Sequence, residues 1–149
     1  MLRSTQFPPV LLVRAARLRL SGRVHFPRDR VGDVVRRPGE DYEIFRKMTV
    51  DGDGPPGAAF EVGFRFARFP DRVNRWLSRI PMPLIAAQPG FRSKTWMSGR
   101  ESGAFLGVYE WDTVEDAERY WDSLPMRLMR RRAAPGTLEK RSRPCRRRA

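Results

Sequence analysis

The chain is short of the residues that most often carry catalysis: its 149 residues include one cysteine, Cys145, and one histidine, His25. An intrachain disulfide is therefore excluded, which is compatible with a reducing cytoplasm. Cysteine and histidine are too few to build a zinc centre between them. A Ser-His-Asp triad, or a haem with a proximal histidine, would need His25, which falls outside the segment that reads as a folded domain. No stretch reaches the ~20 apolar residues of a membrane span. Lysine is scarce too: of thirty basic residues, only Lys47, Lys94 and Lys140 are lysines. Arginine replaces it everywhere, solvated surface included, which reads as compositional bias ahead of selection for bidentate phosphate contacts.

What is present is charge, unevenly spread. The net charge is +13; residues 1–40 hold nine arginines against three acids, and residues 126–149 hold ten basic residues against Glu139. Residues 41–125 hold eleven basic and thirteen acidic residues, so the middle is close to neutral. A nucleic-acid-reading module would put its basic face on the fold itself. The runs Arg130–Arg132 and Arg146–Arg148 read first as solvated charge. Attraction to nucleic acid or an acidic membrane surface is the second reading. Val10–Leu20 is interrupted by Arg14, Arg17 and Arg19, a poor signal-peptide core; it reads as extension, or as a basic stretch lying on an anionic membrane.

Residues 1–40 lack sustained periodicity and read as a basic, partly disordered N-terminal extension. Tyr42–Val50 alternates as a strand, with Tyr42, Ile44, Met48 and Val50 on one face. After the turn cluster at 51–57, Ala59–Arg68 is a second strand with Phe60, Val62, Phe64 and Phe66 on one side. Asp71 is the expected cap of a helix whose stripe is Val73, Trp76, Leu77 and Ile80. Pro81-Met-Pro83 stops it, and Leu84–Ala87 forms a second short piece. Phe91–Ser98 and Ala104–Trp111 are strands joined by a five-residue hairpin, Gly99–Gly103. Thr113-Val-Glu-Asp116 starts a helix, Pro125 restarts it, and Thr137–Ser142 is the last strand. The order from Ala59 is β-α-β-β-α-β. The expected fold is α+β: a ferredoxin-like antiparallel sheet with an extra N-terminal strand, a domain over residues 41–142 and a basic tail over 143–149.

The strand Ala104–Trp111 is apolar on both faces. Helices cover one; a second copy of the sheet would cover the other. A homodimer through the sheet face follows as an expectation.

The run Pro89-Gly-Phe91-Arg-Ser-Lys94-Thr-Trp96, then Gly107-Val-Tyr109-Glu-Trp111-Asp112, resembles the small monooxygenases of the dimeric α/β-barrel superfamily, related to those of antibiotic biosynthesis. The resemblance covers about Ala59 to Glu139. It implies a pocket between helices and sheet where an electron-rich aromatic molecule reacts with oxygen without metal, flavin or other cofactor. It points to Lys94, Trp96 and Tyr109 as catalytic residues: Lys94 for an oxyanion, Trp96 for stacking, Tyr109 for a proton. Phe64, Phe66, Trp76, Arg92 and Trp121 become substrate-binding candidates. The superfamily's haem-degrading branch uses an Asn, a Trp and a His, and the domain has no histidine.

Each residue also has a plainer role: Lys94 snorkelling or pairing with Glu110 or Glu61, Trp96 and Tyr109 as core, Arg92 as surface. Whether the chain is an enzyme stays open at this point. A related cyclase or isomerase, a non-catalytic small-molecule-binding or stress-associated dimer, and a protein tethered to nucleic acid by its arginine-rich ends are the alternatives.

Overall fold

The computed structural model describes residues 8–145; Arg146–Arg148 lie outside them. The elements run α1 (Pro8–Leu20), β1 (Val24–His25), β2 (Val34–Arg37), β3 (Glu40–Val50), β4 (Ala58–Phe64), α2 (Asp71–Leu77), α3 (Met82–Ala86), β5 (Phe91–Gly99), β6 (Phe105–Trp111), α4 (Val114–Trp121), α5 (Leu124–Arg132) and β7 (Glu139–Pro144). One antiparallel sheet has the order β1-β3-β5-β6-β4-β7, with β2 also on β3. The expected βαββαβ unit is β4 to β7, and β3 extends it at the β5 edge.

Local chemistry sets the boundaries. Thr113 caps α4 by accepting from the Asp116 N–H at 3.1 Å, and Ser123 caps α5 from Met126 at 3.4 Å. Pro125 then sits in the first turn of α5, where its missing N–H costs nothing. The β5–β6 hairpin closes on Gly103, whose φ of +68° is left-handed. Glu40 clamps that hairpin, accepting from the backbone N–H groups of Glu101 and Ser102.

One sheet face carries the main core. Met48, Phe60, Val62, Trp96, Tyr109 and Trp111 pack there against Ile85 and Ala86 of α3, Ala117 and Tyr120 of α4, and Met126 of α5. The motif glycine belongs to this face. Gly107 lies opposite Trp96, and a Cβ there would stand 3.1 Å from Tyr109 and 3.2 Å from Phe105 side-chain atoms.

Three expectations need correction. A bulge at Phe45 splits β3, so Ile44 joins the outer face while Met48 and Val50 join the core. Asp71 is the first residue of α2, and Pro70 holds the cap position without a side-chain bond. The buried face of α2 is polar: Asn74 and Ser78 are buried, whereas Trp76 and Ile80 are 60% and 65% exposed. The cause is a hydrogen-bond hub at Asn74. Its Nδ2 donates to the carbonyls of Arg68 and Phe69 at 3.0 and 2.9 Å, and its Oδ1 accepts from Arg132 at 2.7 Å. These bonds hold Phe69 at φ +69°, a strained value for a bulky residue, at the sharp entrance to α2.

The outer face carries contacts of its own. Ile44, Met97 and Leu106 form a small second cluster, with Val35 of β2 and Tyr42 packed on it. Leu106 is 8% exposed in the single chain. Arg37 of β2 reaches Glu61 on β4 at 2.6 Å, so the β2 arm crosses the sheet and covers part of the face assigned to a second copy. Residues before 40 are therefore not all plain extension. Leu11 of α1 is buried, and Leu18 and Val24 pack on the main core.

Candidate active site

β5 and β6 bring the three expected catalytic residues together. Lys94 pairs with Tyr109 across the strands and shares a face with Trp96. Its Nζ stands 4.4 Å from the Tyr109 ring centre, 4.6 Å from Trp96 and 5.5 Å from Phe105. Lys94 is 3% exposed. Among the described residues its amine forms no hydrogen bond or ion pair. Glu110 and Glu61 lie on the opposite face, where Ser93 and Arg37 engage them, so neither pairing expected for Lys94 forms. Aromatic faces attract an ammonium, but they do not replace its lost hydration. Burial, and secondarily the Arg46 cation, push the Lys94 pKa well below the ordinary lysine value.

Tyr109 is fully buried, stacked on Phe60 at 4.7 Å, and its hydroxyl contacts Met129 Sδ at 3.7 Å. Burial and neighbouring Tyr120 raise its pKa well above the usual tyrosine range. The nearby Trp111 Nε1 is buried without an acceptor among the described residues.

The other expected binding residues divide. Phe64 and Phe66 join Phe105 in an aromatic cluster at 5.0 and 5.7 Å. Trp121 lies under Arg130 and Lys140, 4.6 and 4.5 Å from its ring. Trp76 points to solvent. Arg92 is a strap: it pairs with Asp112 at 2.9 Å and donates to the carbonyls of Asp53 and Gly54, away from the cage. The space between α2 and the sheet holds about 10 Å³, room for about one water.

The open space lies one strand further out. A cleft of about 960 Å³ runs between β3, α3 and the N-terminal segment. Its apolar lining includes Leu18, Val24, Phe26, Phe45, Met48 and Met82. Every ionisable group lining it is basic: Arg19, Arg28, Arg46, Lys47 and Arg79. Arg46 and Met48 are the cross-strand partners of Trp96 and Lys94, so the cleft floor backs onto the cage. Arg46 is held by Ser78 Oγ at 2.5 Å and the Arg75 carbonyl at 3.1 Å, and its guanidinium lies 5.7 Å from the Trp96 ring. Burial first, then Arg79 and Arg75, lower its pKa.

Sequence reading missed this cleft because half of it comes from residues before 40. A signal was there: Pro8-Pro9 suits a helix start, Leu11, Ala15 and Leu18 share i, i+4, i+7 spacing, and Ser21-Gly22 marks its end. Among the described residues, no group of three His, Cys, Asp or Glu side chains is placed to hold a metal, and no helix is long and apolar enough to cross a membrane.

No protein-family model matches the chain, and no curated protein matches it. Solved structures do. An anthrone oxidase-like protein aligns at 16% identity and a TM-score of 0.50, over 70% of this chain and 56% of that one. The heme-degrading enzyme of Listeria monocytogenes aligns at 12% identity and a TM-score of 0.53, over 72% of each chain. A ferredoxin-fold protein related to antibiotic-biosynthesis monooxygenases, also from Listeria monocytogenes, aligns at 12% identity and a TM-score of 0.53, over 72% of this chain and 66% of that one. The chain thus spans little more than half of the first. At these identities the likeness establishes the ferredoxin-like fold.

Proposed function

We propose that the chain is an oxygenase-type enzyme acting on an electron-rich aromatic small molecule with an ionisable hydroxyl, and that Lys94 is its base. The observation that carries this reading is a lysine, 3% exposed as a residue, whose amine lies among aromatic rings with no hydrogen bond or ion pair to any described residue. An unpaired buried ammonium is costly, and a methionine would fill the same space without that cost. In its neutral form the amine takes a proton from the substrate; the ammonium then formed pairs with the substrate oxyanion. The resulting carbanion hands its electrons to dioxygen. A hydroperoxide forms at that carbon and loses water, so that one methylene group and one dioxygen molecule give one carbonyl group and one water molecule. The substrate is oxidised and oxygen reduced, and the electrons come from the substrate itself. The rings around Lys94 keep the reaction dry and leave the charges poorly screened. Trp96 offers a face for stacking, and Arg46 lies between the cleft and the Lys94 cage.

The fold of an anthrone oxidase-like protein supports the reaction class. Oxygen uptake with anthrones and hydroxyquinones, metals chelated, tests it. Turnover that falls in Lys94→Met supports the proposal, and binding without oxygen consumption overturns it. The open cleft beside β3 and the contact of the Tyr109 hydroxyl with Met129 favour a second reading, a binding protein without turnover. We place the protein in the cytoplasm, as a homodimer through the part of the outer sheet face that β2 leaves open.

A further inference from the structure

The cleft beside the cage is chemically one-sided. It brings Arg19 from α1, Arg28 from the β1–β2 connection, Arg46 and Lys47 from β3 and Arg79 from the loop after α2 to one apolar trough. None of these five forms an ion pair among the described residues. The chain has carboxylates close by in sequence, yet they are used elsewhere: Asp33 on Arg30, and Asp51 on His25. Like charges gathered without counter-charge repel one another, and they do so more strongly over low-dielectric walls. Apolar side chains from α1, β1, β3 and α3 form those walls, so the cleft offers both an oily surface and a cationic rim. Its volume of about 960 Å³ falls in the range of small-molecule sites.

We propose that this cleft is a binding site for a small anionic amphiphile, a flat aromatic body carrying a carboxylate or sulfonate, and that the N-terminal segment is half of the site. The body lies on Phe26, Phe45 and Met82, and the acid group meets Arg28 and Arg79. Arg46, at the floor, is positioned to take a second acidic group such as a phenolate. The inference rests on the oxygenase reading only in making the cleft the route to Lys94. Binding itself stands without it.

The test compares two dyes on the full chain: 1-anilinonaphthalene-8-sulfonate, and N-phenyl-1-naphthylamine, which has the same rings and no sulfonate. The sulfonate should bind at least about tenfold more tightly than the neutral dye, and Arg28→Ala/Arg79→Ala should remove at least about tenfold of its affinity while sparing the neutral dye. Both arginines are exposed, so the variant should keep the wild-type unfolding midpoint; Arg28→Gln/Arg79→Gln serves if it does not. Equal binding of the two dyes, or sulfonate binding indifferent to both double variants, overturns the proposal. Lys94→Met should bind the sulfonate dye as wild type does. If that variant stops oxygen uptake while the dyes bind alike, the cleft proposal falls alone. If the sulfonate dye discriminates as expected while Lys94→Met leaves uptake unchanged, the oxygenase reading falls alone.

Discussion

Two halves of one sheet face differ in what lies over them. Over β4 and β6, Ala117 and Tyr120 of α4 and Met126 of α5 pack onto Phe60, Tyr109 and Trp111, and the rings of Phe60, Tyr109, Trp111 and Tyr120 lie 4.7 to 6.2 Å apart. Over β3, the cover is α1, α3 and the β1–β2 connection, and a cleft stays open. The closed half holds one uncompensated amine; the open half holds several uncompensated guanidiniums. The contrast teaches that the aromatic interior tunes a group, whereas the N-terminal cover recruits a ligand. Lys94 and Arg46 sit where the two meet.

Lys94→Met should break that contrast most strongly. Turnover should fall by roughly 10²–10⁴-fold, the range for loss of a general base, read as oxygen uptake. The same variant should unfold at a higher temperature, since an apolar side chain replaces an unpaired amine. Next comes Asn74→Ala, which should cost about 2–4 kcal/mol in urea unfolding by orphaning Arg132 and releasing the Phe69 turn. Leu11→Ala should cost about 2 kcal/mol, confined to the N-terminal cover. Hydrogen exchange would show α1 opening while β4–β6 stay protected, and uniform deprotection would contradict a separable cover. The smallest effect is a pH dependence. Because the folded Lys94 pKa lies below the unfolded value of 10.5, the unfolded chain holds more protons between the two values, and stability from this group rises with pH across that window. Below the folded value the charged amine penalises the fold fully. The excess stability of Lys94→Met over wild type should therefore shrink as pH climbs towards 10.5.

Much of this was legible in the sequence where pattern and cover agree. Phe60, Val62 and Phe64 alternate and face helices, so their strand is where periodicity puts it. Lys94 and Trp96 share a face because strands have period two, and Gly107 marks the spot where the Tyr109 and Phe105 rings leave little room for a Cβ. Legibility failed where polar bonding overrode hydrophobic pattern. The stripe of Trp76 and Ile80 looked like the buried side of α2, but Asn74 and Ser78 had three backbone carbonyls and two guanidiniums to satisfy, and the helix turned to them. It failed again at Phe45, where one inserted residue moved Ile44 to the opposite face. The β2 arm was invisible for a different reason. Val35 and Arg37 show no period in a segment this short, and only their partners, Leu106's cluster and Glu61, reveal what they do.

Lysine scarcity makes the state of the Lys94 amine directly measurable. With only Lys47, Lys94 and Lys140 in the chain, a protein labelled with 13C at lysine Cε should show three side-chain resonances by NMR. A pH titration should find one of them losing its proton well below the ordinary lysine range, and that signal should vanish in Lys94→Met. If all three titrate together near 10.5, Lys94 is not caged without a partner, and the base assigned to this site does not exist.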